Sequence, residues 1–241
     1  MTTQFVYLAA RGASGKIYTF SGTATDDTEF TLQSNTSTSG VNQADGLNIG
    51  QLAEGDTITH ATCTASGHTP LYAYLEDQNG RVAMPIASLG KANINQTGCM
   101  APLPQPVRMV NGFTIKVLTT DATAGKEKVG VALYGVGPQS KDVFTATIAN
   151  GTTASFTSVK TGLPVGQTLS NQMVSGAIVS GGATANMAAA LSFPFVVVQS
   201  SSGSSKGAFA LQNGDAFGVK SQDIAPIRID QNDAMEVFGK A

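Results

Sequence analysis

The chain has 241 residues, of which 41 % are hydrophobic and only 12 % charged, and a formal net charge of −2. That length buries the core of one large β-domain or of two small ones, and the charged share is about half the usual ~25 %. With so little charge, and with its four arginines (Arg11, Arg81, Arg108, Arg228) scattered, the chain lacks the field that draws nucleic acid or anionic lipid, so direct, strong nucleic-acid binding is not expected.

The opening segment, MTTQFVYLAARG, lacks the charged lead and long apolar run of a signal peptide. Gln4 to Ala10 and Lys16 to Phe20 are β-prone runs on either side of Gly12-Ala-Ser-Gly15, which reads as a hairpin. Strands are then expected over Glu29 to Gln33, Thr57 to Thr64, Leu71 to Leu75, Arg81 to Ile86, Phe113 to Thr119 and Val129 to Gly135. Phe113, Ile115 and Val117 alternate with Thr114, Lys116 and Leu118, the period of a strand. Gln78-Asn-Gly80, Val110-Asn-Gly112 and Ala124-Gly-Lys126 carry the turn chemistry between them. No window of a dozen residues has a helical period; Thr184 to Leu191 reads as a short helix or equally a strand. Met187 to Val198, the longest nearly apolar stretch, is interrupted by Ser192 and Pro194 and is too short for a membrane span.

The chain also repeats itself. Tyr18 and Phe30 fall on Phe144 and Phe156, 126 positions on. Gly46-Leu-Asn-Ile-Gly-Gln51 falls on Gly162-Leu-Pro-Val-Gly-Gln167, 116 on, with Ile58 on Val174 and Ala61 on Ala177. Phe113-Thr-Ile-Lys116 falls on Phe217-Gly-Val-Lys220, 104 on, and this match excludes a rival between Pro106-Val-Arg-Met109 and Pro226-Ile-Arg-Ile229 at 120. The fold expected is all-β, two tandem related β-sandwich (jelly-roll-like) units side by side. Residues 1–16 are an N-terminal strand or arm, 17–135 the first unit, 136–142 a Gly/Pro linker and 143–241 the second unit.

Chemistry-bearing residues are few. His60, Cys63, His68 and Cys99 hold all the imidazole and thiol, but residues three apart on a strand point to opposite faces, so His60 and Cys63 diverge unless a bulge intervenes. A surface histidine and a buried thiol are the simpler reading, and whether Cys63 and Cys99 pair stays open. Gly12 to Lys16 has the wrong spacing for a phosphate loop. The acids at Asp26-Asp-Thr-Glu29 and Asp230-Gln-Asn-Asp233 are weighed as calcium ligands and set aside as solvated turns. Tyr72 and Tyr74, alternating on one strand, offer sugar stacking but read more simply as sheet packing. Ser201-Ser-Gly-Ser-Ser-Lys206 is a flexible loop, not a nucleophile elbow. No catalytic, metal or cofactor residue is assigned, and no enzyme is expected.

Tandem small β-sandwiches with few charges and abundant Ser, Thr and Gly resemble the double jelly-roll major capsid proteins of tailless icosahedral viruses. The resemblance covers residues 17–239 and is one of architecture. It implies a virion structural protein, made in the host cytoplasm, that self-associates as a homotrimer in a larger shell beside other virion proteins. In that setting the sequons at Asn35, Asn95 and Asn150 carry little meaning. A trimeric phage head decoration protein and a tandem immunoglobulin-like tail or adhesin module are the alternatives.

Overall fold

The structure is a computed structural model that describes residues 4–25, 28–35, 43–65, 70–86, 100–119, 127–137, 139–148, 153–181, 195–210 and 221–238. The described residues are all-β, with two short helices among them, and the chain divides into two compact units, Met1–Thr120 and Asp121–Ala241.

Unit one contains β1 (Gln4–Gly12), β2 (Ile17–Ala24), β3 (Glu29–Ser34), α1 (Ile49–Leu52), β4 (Thr57–Ala65), β5 (Pro70–Glu76), β6 (Val82–Ile86), β7 (Ala101–Arg108) and β8 (Thr114–Thr119). The strands are antiparallel in the order β6-β5-β8-β3-β2-β1-β4-β7. The run β4-β1-β2-β3 is one Greek key. The run β8-β5-β6 leads into a second, because β6 and β7 at the two ends of the sheet lie beside each other. Alternation decides what faces inward: Val6, Leu8 and Ala10 of β1 enter the core, while Phe5, Tyr7 and Arg11 point out. On β4 both Ile58 and Ala61 are buried although three residues apart, because the ladder to β7 is bulged between Ile58 and His60.

Unit two contains β9 (Glu127–Tyr134), β10 (Asp142–Ile148), β11 (Ala154–Ser155), β12 (Thr157–Ser158), α2 (Val165–Thr168), β13 (Gln172–Gly181), β14 (Phe195–Gln199), β15 (Ser205–Ala210), β16 (Ser221–Ile229) and β17 (Ala234–Phe238). Its two sheets run β12-β10-β9-β13-β16 and β11-β17-β14-β15. β11 and β12 flank Phe156 and do together what β3 does alone, one pairing with β17 and the other with β10. With that substitution the strand order is the same as in unit one.

The register fixes the repeat residue by residue. Leu8 pairs with Phe20 and Cys63 in unit one, and Val131 with Phe144 and Val179 in unit two. Phe20 thus corresponds to Phe144, and Leu32 to Phe156, at 124 positions rather than 126. Val107 opposite Ile58 corresponds to Ile227 opposite Val174, so the 120-residue match between Pro106 and Pro226, excluded on sequence, is the one the structure contains. Phe217, used in the competing match, lies outside the described residues.

Two expected boundaries change with it. β1 is a strand and not an arm, and it lies inside the sheet between β2 and β4. Its counterpart β9 belongs to the second unit, between β10 and β13, and not to the end of the first. The expected linker therefore lies between the paired strands β9 and β10, where the Ser140 hydroxyl donates to the Val136 and Gly137 carbonyls at 2.8 Å.

Each unit has one core, with Phe20, Leu32, Ile49, Leu75 and Met84 among its members in the first and Phe144, Phe156, Val165, Leu169 and Phe209 in the second. The one-turn helices α1 and α2 plug the same end of each. Their second residues, Gly50 and Gly166, donate to the Phe113 and Asp233 carbonyls at 3.0 Å and lie against that backbone with no room for a Cβ. The expected helix or strand at Thr184 to Leu191 lies outside the described residues. No helix among them is long and apolar enough to cross a membrane.

Candidate functional site

On β4, His60 and Cys63 point to opposite faces. Cys63 is a fully buried free thiol in the core, and burial pushes its pKa up to about 12. His60 points outward, with its Nδ1 2.9 Å from Thr59 Oγ1. His68 and Cys99 lie outside the described residues. Among the described residues no group of three or more His, Cys, Asp or Glu side chains gathers as a metal site would.

Gly12 to Lys16 is the β1–β2 turn, with the Gly12 amide donating to the Lys16 carbonyl at 2.9 Å and the Gly15 amide to the Gly12 carbonyl at 3.0 Å. The carboxylate of Asp56 closes over this turn. It accepts from the Ser14 hydroxyl, from Tyr18 Oη at 2.8 Å, and from the amides of Thr57 at 2.7 Å and Ser14 at 3.2 Å. The Ser14 hydrogen bond, joined by the others, lowers Asp56 from an ordinary 3.8 to about 2. Tyr18 moves the other way, raised by burial and by its bond to that anion. The sequence does not flag this cluster, since its members stand 38 and 42 residues apart.

Unit two anchors an equivalent position differently. Asp142, at the start of β10, is buried and accepts from the Ser158 hydroxyl at 2.6 Å and the Val143 amide at 2.8 Å. Burial raises its pKa against the pull of those two bonds.

Of the two acidic turns, Asp26 and Asp27 lie outside the described residues, and Glu29 receives the hydroxyls of Tyr72 at 3.2 Å and Tyr74 at 2.8 Å. Both tyrosines are buried, with ring centroids 5.7 Å apart, so they are packed side chains and not an open stacking platform. Burial, with Glu29 next to it, drives the Tyr74 hydroxyl far above the tyrosine range. Lys116 on the neighbouring strand donates to Thr31 at 2.8 Å and faces Glu76 at 3.8 Å.

The second acidic turn is not simply solvated. Asp230 is exposed, but Asp233 is buried and holds the Asp230 amide at 2.8 Å. Lys206 reaches across from β15 to Asp230 at 2.7 Å and Asp233 at 2.6 Å. Burial works against its ammonium, yet the two carboxylates outweigh it and raise Lys206 above the usual lysine value. The serine run before it is the β14–β15 turn, with Ser200 Oγ 2.8 Å from Ser202 Oγ.

These clusters share one design. Each carboxylate meets hydroxyl, amide or ammonium donors of its own unit, and each ties a turn or strand end to a neighbouring strand. Comparison with protein-family models, with curated proteins and with solved structures returned no match.

Proposed function

We propose that the chain is a virion structural protein, a self-associating shell subunit that does its work by packing rather than catalysis. The observation that carries this reading is the repeat: one chain holds two units of the same strand order, eight strands in the first and nine in the second with β11 and β12 together standing for β3, each unit with its own core. Repeating a rigid unit enlarges the surface a single subunit offers to its neighbours, and rigid subunits assemble without an ordering cost at each contact. The clusters that chemistry favours, around Asp56, Asp142, Glu29 and Asp233, serve as fasteners of turns and strands. Low charge density limits repulsion between identical neighbours.

Size-exclusion chromatography with light scattering, followed by electron microscopy of the leading peak, tests the proposal. Trimers or larger particles support it. A 24.6 kDa monomer at every concentration overturns it.

A further inference from the structure

The sequence holds four Asn-Gly pairs, at Asn79, Asn111, Asn150 and Asn213, the last two outside the described residues. A glycine after asparagine leaves its backbone amide open to the side-chain carbonyl, because no Cβ stands beside it. Asn79 and Asn111 are both exposed in turns, but the fold holds the following amide differently in each. The Gly80 amide donates to the Asp77 carbonyl at 3.0 Å, and the Asp77 carboxylate takes the Asn79 and Arg81 amides at 2.8 and 3.0 Å. The nitrogen that would attack Asn79 is therefore occupied, inside a turn pinned on both sides.

Val110-Asn-Gly-Phe113 is built the other way. The Phe113 amide closes it on the Val110 carbonyl at 3.3 Å, with Gly112 at φ 100°, as the third position of a type II turn requires. That bond skips Gly112: among the described residues neither its amide nor the Asn111 side chain has a hydrogen-bond partner, and both residues are exposed. Unit two seats α2 on the corresponding turn, Asp230-Gln-Asn-Asp233. There the amide after Asn232 is that of Asp233, and it is the one that closes the turn, donating to the Asp230 carbonyl at 3.0 Å. In unit one the asparagine stands one place earlier, ahead of the open amide.

We propose that Asn111 is a self-modifying site, which converts to aspartate and isoaspartate ahead of Asn79 and Asn232. Base in solution takes the Gly112 amide proton, and the nitrogen attacks Asn111 Cγ. A Cγ–N bond forms, the Cγ–Nδ2 bond breaks, and ammonia leaves with a proton returned by solvent. Water then opens the cyclic imide at either carbonyl, so the net change is one water consumed and one ammonia released. Opening at the backbone carbonyl routes the chain through the side chain and lengthens it by a methylene between residues 111 and 112. The Gly50 backbone rests on the Val110 carbonyl and the Phe113 amide with no room for a Cβ, so the lengthened turn unseats α1 and weakens unit one. This inference stands apart from self-association, and neither depends on the other.

The test holds the full chain at mildly alkaline pH over days, reading deamidation and isoaspartate by peptide mass mapping and Tm by calorimetry. Residue 111 converts first, and residue 79 roughly tenfold more slowly, about what one hydrogen bond withholds. In denaturant the two convert at similar rates. Asn111→Gln, which keeps an amide in the turn but disfavours the ring, holds its Tm through the incubation while wild type declines. If that variant does not fold, Asn111→Ser is read in its place. Residue 79 converting as fast as 111 in the native chain, or 111 surviving the incubation, overturns the site. A gap of the same size in denaturant gives the selectivity to the local sequence and overturns the role of the fold. Conversion at 111 with Tm unchanged overturns the coupling to α1.

Discussion

The Gly166 amide donates to the Asp233 carbonyl at 3.0 Å, and the two backbones lie so close that no side-chain carbon fits between them. Gly50 and Phe113 repeat the contact in unit one. The atoms in the way are backbone on both sides, so the strain of an added methyl cannot be relieved by a rotamer change. Gly166→Ala is expected to destabilise its unit by about 1–3 kcal/mol, as overpacking does. Differential scanning calorimetry checks it. Gly50→Ala is expected to do the same to unit one, so the two variants identify which transition belongs to which unit.

Asp56 gives an acid limb to stability. A carboxylate held at about 2 in the fold, from an ordinary 3.8, stabilises the fold while ionised. Its contribution is whole above about pH 4 and drains away as the pH falls towards 2. Asp56→Asn is expected to flatten the fall in Tm across that window and to lower Tm at neutral pH. Thermal melts at half-unit pH steps read both effects.

Lys206 compensates a buried carboxylate. The side chain of Asp233 is 2 % exposed and that of Lys206 22 %, so little water replaces the ammonium when it is removed. Lys206→Met is expected to cost about 1–3 kcal/mol, the penalty of stranding a buried acceptor. Adding Asp233→Asn is expected to return part of the loss, and a double-mutant cycle by urea denaturation measures the coupling.

Cys63 is expected to be inert in the native protein. With its pKa near 12 and its sulfur in the core, almost no thiolate meets reagent at pH 8. In a Cys99→Ser background, a thiol-specific dye is expected to label the chain only as denaturant unfolds unit one, so labelling rate tracks stability.

The strand content was legible in the sequence because alternation is local: Ile115 and Val117 inward, Lys116 outward, with Gly-containing turns between runs. The repeat was legible too, but its register was not. Matching Tyr18 with Phe144 instead of Phe20 is a slip of two residues, and a slip of two leaves every side chain on the same face. Hydrophobic pattern is blind to it, and only the ladder resolves it. β9 went to the wrong unit for a related reason. The glycine and proline between it and β10 have the composition of a linker, while its partners β10 and β13 are fixed by pairing. His60 and Cys63 were placed on opposite faces by period alone. The Asp56 and Lys206 fasteners join residues up to 42 positions apart, across turns whose meeting the sequence does not specify.

Every strand pairing among the described residues stays within its own unit, and that bears on how the chain emerges from a ribosome. By the time residue 120 has cleared the exit tunnel, each strand of unit one has all its neighbours, so the first unit can close before the second has emerged. The order of synthesis also guards against a hazard of repeated architecture. β1 and β9 occupy interchangeable places, and a late-folding first half would offer β9 a rival berth against β4. Early closure removes that berth.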